Sequence, residues 1–295
     1  MSNSFQACSL YAETSVYFHR NTQYRERLKK KALMDRLFGL FEQALWERGY
    51  LAMGGQIVDA SIIQASRQRM TKEEKAQVKA GDIPQAWKDN PAKLAQKDRE
   101  ARWILKHSKA RGDTKAIDIA VPFFGYKNHL SMDRSFGFIR KYHVTEASFH
   151  DGKALRWLLD HNNTSCVVWG DTAYRNEENE KFLAEHGFRS QLHRKKPKKK
   201  PMLASIQRAN RKKSRIRVYI EHVFAAQKER MSLFIRTIGL ERAKIKMALA
   251  NFSYNMQRLI FWEIGKKGQR SQDKSDSHLR KCLIFRQSND KSPPQ

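Results

Sequence analysis

Cysteine is scarce in this chain: Cys8, Cys166 and Cys282 stand far apart, and no two are spaced as a CxxC pair. Such usage suits a reducing compartment rather than a disulfide framework. Cys166, at the head of the apolar run VVWG, is read as a buried strand residue. Histidine pairs of the HExxH kind are absent, Gly54 and Gly55 make no phosphate-binding loop, and no Ser, His and Asp grouping stands out. No apolar run approaches the length of a membrane span. The opening residues, MSNSFQACSLYAETSVYF, lack a basic start and carry Glu13 within their apolar stretch, which argues against a signal peptide. A cytoplasmic protein is expected.

Negative charge is also in short supply. Thirty Asp and Glu face 58 Lys and Arg, leaving a net charge of +28 and a pI near 10.2. Between His186 and Ile220 no acidic residue occurs at all, while positions 189–217 hold thirteen Lys and Arg, RKKPKKK among them. An excess of this size says little about fold and much about partners: phosphates, through counterion release. A membrane surface is the rival, but no lipidation signal and no long basic amphipathic helix with a bulky apolar face supports it.

Against that background three acids occupy distinctive settings. Asp59 closes the apolar run of GGQIVDASII, Asp171 closes that of CVVWGDTAYR, and Glu221 lies in the helical pattern RIRVYIEHVF. Strands pair about 4.7–4.9 Å apart, so carboxylates at the ends of neighbouring strands can share a hard cation such as Mg²⁺. Two such ions stabilise the attacking and leaving oxygens of an in-line phosphoryl transfer. Each acid also has a plain explanation: Asp59 or Asp171 as a turn or helix cap, Glu221 as one charge on a solvated face. Arg217, Glu221 and Lys228 fall at i−4, i and i+7, one stripe of a regular helix. That stripe suits an active site holding metal and phosphate, and equally an ion-pair ladder.

The chain divides readily. Residues 1–23 are unassigned. Residues 24–53 form an N-terminal segment whose helix, with Leu33, Leu37, Leu40, Phe41 and Leu45 at helical spacing, ends near Gly49. A mixed α/β domain spans 54–262: a strand to Asp59 and just beyond, an insertion at 64–116, and a hairpin about Asp133 and Arg134. A helix, the strand to Asp171, a further helix, the strand FRSQLH and the helix of Glu221 follow. Trp87 and Trp103 are read as anchors of the insertion. A solvated basic loop is expected at 194–213 and a flexible basic tail at 263–295.

The three blocks, with FGYKNHLSMDRSFGFIRKYHVTEASFHDGKAL between them, resemble the catalytic domain of bacterial insertion-sequence transposases of the DDE class. Within that class they are most similar to the insertion-sequence-five family, from about Tyr24 to about Trp262. The resemblance implies a ribonuclease-H-like sheet with flanking helices, in which Asp59, Asp171 and Glu221 bind two Mg²⁺ ions, Mn²⁺ substituting. The family's Tyr–Arg–Glu–Lys signature falls on Arg217, Glu221 and Lys228, with Ser214 in place of the tyrosine. It implies metal-dependent strand cleavage and 3′-hydroxyl strand transfer, on transposon ends and target DNA, by a homo-oligomer on the bacterial nucleoid. Lys127, Lys195, Lys196, Lys198, Lys199, Lys200, Arg211, Lys212 and Lys213 are the expected further DNA contacts. Relatives carry a longer helical region before the part matching Tyr24. The short N-terminus leaves two other readings open: a DNA-binding remnant that regulates a full-length transposase, or a function shared with a separate N-terminal polypeptide. A stand-alone nuclease is a third.

Overall fold

The computed structural model describes residues 26–27, 33–109, 118–197 and 200–289, without the side chains of 107–109, 118–119 and 266–289. The segment 1–23, part of the first helix, Lys198, Lys199 and the last residues of the tail therefore lie outside the described residues. Among those described, six strands form one mixed sheet with helices against it, consistent with a ribonuclease-H-like fold.

Helix α1 spans Leu33–Glu47 and buries Met34, Phe38, Phe41 and Leu45. Phe41 and Leu45 are buried as expected, but Leu37 and Leu40 are exposed, and Met34 and Phe38 are buried instead, Phe38 against Tyr142. The helix stops at Gly49, whose φ of 79° lets the amides of Gly49 and Tyr50 close back on Trp46 and Leu45.

Strand β1 (Gln56–Gln64) is the pivot of the sheet. It pairs antiparallel with the long β3 (Asp118–Asp133) and parallel with β5 (Val167–Gly170), which in turn pairs parallel with β6 (Arg189–Leu192). Strand β4 (Ile139–Glu146) returns against β3 as the expected hairpin. Gly55 precedes β1 because nothing larger fits: a Cβ there would lie 2.5 Å from the Trp169 ring and 2.6 Å from the Val167 carbonyl. Val58 and Ile63 are an odd number of residues apart and so face opposite sides of the sheet. Val58 packs with Val168, Leu192, Tyr174, Leu155 and Leu183. Ile63 packs with Phe124, Tyr126, Val144, Ile235 and Met247.

The insertion holds three short helices, α2 (Lys72–Ala80), α3 (Gln85–Lys88) and α4 (Pro91–Gln96). It also supplies a strand that the sequence reading does not anticipate: β2 (Arg102–Lys109), paired with the first half of β3. Trp87 is fully buried and donates to Glu74 at 2.7 Å, and Trp103 packs on Phe124, so both anchor the insertion.

After the short α5 (Leu155–Leu158), β5, α6 (Glu177–Glu185) and β6 comes α7, Ala204–Ala225. It begins within the expected basic loop, correcting that boundary: past Pro201 the residues ASIQRANRKK include no Gly or Pro to interrupt a helix. Asn210 ties the remaining loop down, donating to the Arg194 carbonyl and accepting from its amide. Cys166 is exposed, one residue short of β5, rather than buried in it. Helix α8 runs Leu240–Asn289, through much of the stretch read as tail. Its residues to Phe252 belong to the first compact unit, and Ser253 onward to a second. No helix among the described residues is long and apolar enough to cross a membrane.

Candidate active site

Parallel register brings the first two acids together. Gln56 faces Val168 and Ile57 faces Trp169; the same register extended two residues, past the end of β5, sets Asp171 near Asp59, whose carboxyl feels its charge. Each is fixed by its own chain: Asp59 Oδ1 accepts from the Ala60 amide at 2.8 Å, and Asp171 Oδ1 from the Ala173 amide at 2.8 Å. The turn role is therefore real for Asp171, and it leaves the second carboxylate oxygen outside that bond. Helix α7 packs across β1 and β5 and carries Arg217 and Glu221 over them.

Arg217 is the connecting group. Its Nη2 donates to Asp59 Oδ2 at 2.7 Å, with both side chains about one-seventh exposed (15% and 14%). Burial opposes the guanidinium charge, but Asp59, Asp171 and Glu221 together hold it on. Burial pushes the Asp59 carboxyl above its ordinary value, against Arg217 and the Ala60 amide, and Asp171 adds to the rise. Glu221 is exposed. The three acids share one electrostatic neighbourhood without touching as a cluster. Among the described residues no group of three or more His, Cys, Asp or Glu is placed to hold a metal ion. The donor chemistry nonetheless fits a hard cation, since two carboxylates lie in register with a third on the helix above, and Arg217 fills the position of the positive charge.

Two residues that the sequence reading passes over belong to this neighbourhood. The register Gly170 to Leu192 places His193 next in the row after Asp59 and Asp171, its amide bonded to the Gly170 carbonyl. Its Nε2 is buried without a protein partner, and burial, then Arg217 and Lys213, lower its pKa against Asp171. The signal was present: FRSQLH ends at His193 much as VVWGD ends at Asp171. Tyr174 is fully buried with its hydroxyl unpartnered, and burial, followed by the charges of Asp59, Asp151 and Asp171, raises its pKa well above the ordinary value.

The expected basic contacts divide. Lys195, Lys196, Lys200, Arg211 and Lys212 are exposed. Lys213 is half-buried and donates to the Leu192 carbonyl at 3.0 Å. Lys127 is a correction: it is 7% exposed, donates to the Phe149 carbonyl at 2.6 Å and pairs with Asp151 at 2.8 Å. Its ammonium is spent inside the protein. Lys228 leaves the Arg217–Glu221 stripe, because Ala226–Arg230 form a π-turn whose i→i+5 bonding changes the helical phase.

A family model described as the transposase DDE domain matches residues 51–256. The transposase for insertion sequence element IS1106 from Neisseria meningitidis serogroup B is 28% identical over 215 residues. That match covers 71% of this chain and 65% of the relative's length. No solved structure matches the chain significantly.

Proposed function

Since the chain belongs to the transposase DDE-domain family, we propose that it catalyses cleavage and joining of DNA ends as an insertion-sequence transposase of the insertion-sequence-five kind. The observation that carries this reading is the parallel pairing of β1 with β5, whose register extended sets Asp59 near Asp171, with the helix of Glu221 packed against both strands. Asp59, Asp171 and Glu221 are the residues that would hold two Mg²⁺ ions, or Mn²⁺ in their place. When bound, the ions supply Lewis acidity for phosphoryl transfer.

The rest is positioning. Arg217 passes from Asp59 to a backbone phosphate as DNA enters, leaving the acids free. Lys195, Lys196, Lys200, Arg211 and Lys212, with Lys198 and Lys199 of the same run, hold the strands by charge without reading sequence. Water attacks a phosphodiester at the element's end, its P–O3′ bond breaks and a 3′ hydroxyl departs. That hydroxyl then attacks a target phosphodiester, one P–O bond forming for the one that breaks. Pairing of two ends makes a homo-oligomer the working form.

One observation favours the second reading, a DNA-binding remnant that regulates a full-length protein: Arg217 pairs with Asp59, and among the described residues the acids form no group placed to hold a metal ion. A cleavage and joining assay on the terminal DNA of the encoding element, with Mg²⁺ or Mn²⁺, separates the two. Joined products that disappear in Asp171→Ala, with DNA binding retained, support the transposase. Salt-sensitive binding with no metal-dependent chemistry in either protein makes it the remnant. Nicking without joining makes it a stand-alone nuclease.

A further inference from the structure

Arg217 uses one nitrogen on Asp59 and leaves another idle. Its Nη2 donates to the carboxylate, while its Nε is buried with no hydrogen-bond partner among the described residues. A guanidinium nitrogen can only donate, and a buried donor left unpaired costs free energy. His193 has the complementary need. It is 9% exposed, and its buried Nε2 is equally without a partner among the described residues.

The fold puts the two in one place. Leu192 and Val58 share the core on one face of the sheet, so alternation turns the residue after each, His193 and Asp59, to the other face. Helix α7 lies there, since Arg217 bonds Asp59. Lys213, one turn before Arg217 on the same side of that helix, donates to the Leu192 carbonyl at 3.0 Å. That turn is thereby fixed at the end of β6, and the next carries Arg217 past His193 to Asp59. Of the charges around the imidazole, that of Arg217 bears on it most and that of Lys213 next, both disfavouring its protonation. A ring beside two cations is favoured neutral, and with its proton on Nδ1 it presents Nε2 as an acceptor.

We infer that His193 is a positioning residue for Arg217: its Nε2 accepts from the guanidinium Nε when Arg217 leaves Asp59. One hydrogen bond opens at Asp59 Oδ2, one closes at His193, and no proton is transferred. The arginine then has two resting places on the sheet. Held through Nε, it keeps its outer nitrogens for a backbone phosphate, and the Asp59 carboxylate is released to a cation. That consequence rests on the transposase reading above, while the matched donor and acceptor stand without it.

Titration calorimetry of the DNA-free full chain with Mn²⁺ tests the assignment. His193→Phe, which keeps a ring and removes the acceptor, lowers Mn²⁺ affinity about ten-fold, the contribution of one hydrogen bond to a charged group. His193→Gln, whose carbonyl accepts, restores it. In an Arg217→Ala background His193→Phe has no effect, because no guanidinium remains to be received. Urea midpoints establish that each protein is folded, and His193→Ala replaces the phenylalanine variant if that one is not. An equal loss in both backgrounds means that His193 acts on the acids directly, and overturns its role towards Arg217. Unchanged Mn²⁺ affinity in the acceptor-free variant with Arg217 present overturns that role alone. Mn²⁺ bound by neither the wild type nor Arg217→Ala overturns it together with the metal-dependent transposase reading.

Discussion

Arg217 and Asp59, far apart in sequence, meet at 2.7 Å, and the guanidinium that joins them also feels Asp171 and Glu221. Three carboxylates in one neighbourhood repel each other unless a cation sits among them. In the free protein that cation is Arg217. On the proposed reading a divalent ion competes with Arg217 for the same charge, and the Arg217–Asp59 bond opens before the acids act together.

Removing the competitor should tighten cation binding. Arg217→Ala is expected to raise the Mn²⁺ affinity of the DNA-free protein about ten-fold, and Arg217→Lys, which keeps the charge but loses the fork, by less. Titration calorimetry on the three proteins measures this. Equal Mn²⁺ affinity in all of them would mean that Arg217 does not guard the acids.

Each acid has a local signature in the sequence: Asp171 follows the apolar run that forms β5, Asp59 interrupts the apolar residues of β1, which continues to Gln64, and a helical period surrounds Glu221. What escaped depends on partners distant in the chain. The strand β2 is hidden in a charged insertion, since RWILKHSK becomes a strand only by pairing with β3. Lys127 reads as one more basic residue until Asp151 and the Phe149 carbonyl close on it. The π-turn that moves Lys228 off its stripe is imposed by Asn128 and Asn251 on other elements. His193 was overlooked for another reason: a lone histidine after a short strand is unremarkable until the register sets it beside Asp171.

The burial of Lys127 separates a structural lysine from a DNA contact. Lys127→Met should destabilise the protein by about 2 kcal/mol, because Asp151 and the Phe149 carbonyl lose their partner, and leave DNA affinity unchanged. Urea unfolding and a DNA-binding titration on the same preparation decide it. A stable variant that binds DNA weakly would return Lys127 to the nucleic-acid surface.

A second internal ion network fastens α1 to the sheet. Asp133, fully buried at the end of β3, accepts from the amides of Phe136 and Phe138 and from Arg140 Nε at 2.9 Å. Arg140 continues to Glu42 on α1 at 2.9 Å and to the Tyr50 carbonyl at 2.8 Å. Taking away Asp133 leaves a guanidinium and several amides uncompensated inside the protein. Asp133→Ala is expected to cost about 3–5 kcal/mol in urea unfolding. Asp133→Asn, which can still accept from the amides, should cost less, and a loss under about 1 kcal/mol in both would show that the network is replaceable.

His129 gives the fold an acid limit. Its Nε2 lies 2.9 Å from the Thr145 hydroxyl, which donates its own proton to the Glu146 carbonyl, so Nε2 is the donor of this pair. The other ring nitrogen is buried without a partner. Burial lowers the pKa from 6.5 to about 4, Lys127 and His143 adding to the fall and Asp151 opposing it. Between these values the unfolded chain binds a proton that the folded chain does not, so stability drops as pH falls from about 6.5 towards 4. The shift corresponds to about 3 kcal/mol from this one group. Urea midpoints followed from neutral pH down through that window should decline, and His129→Gln, which keeps a donor to Thr145 but cannot titrate, should flatten the decline. An unchanged slope in the variant would assign the acid sensitivity to another group.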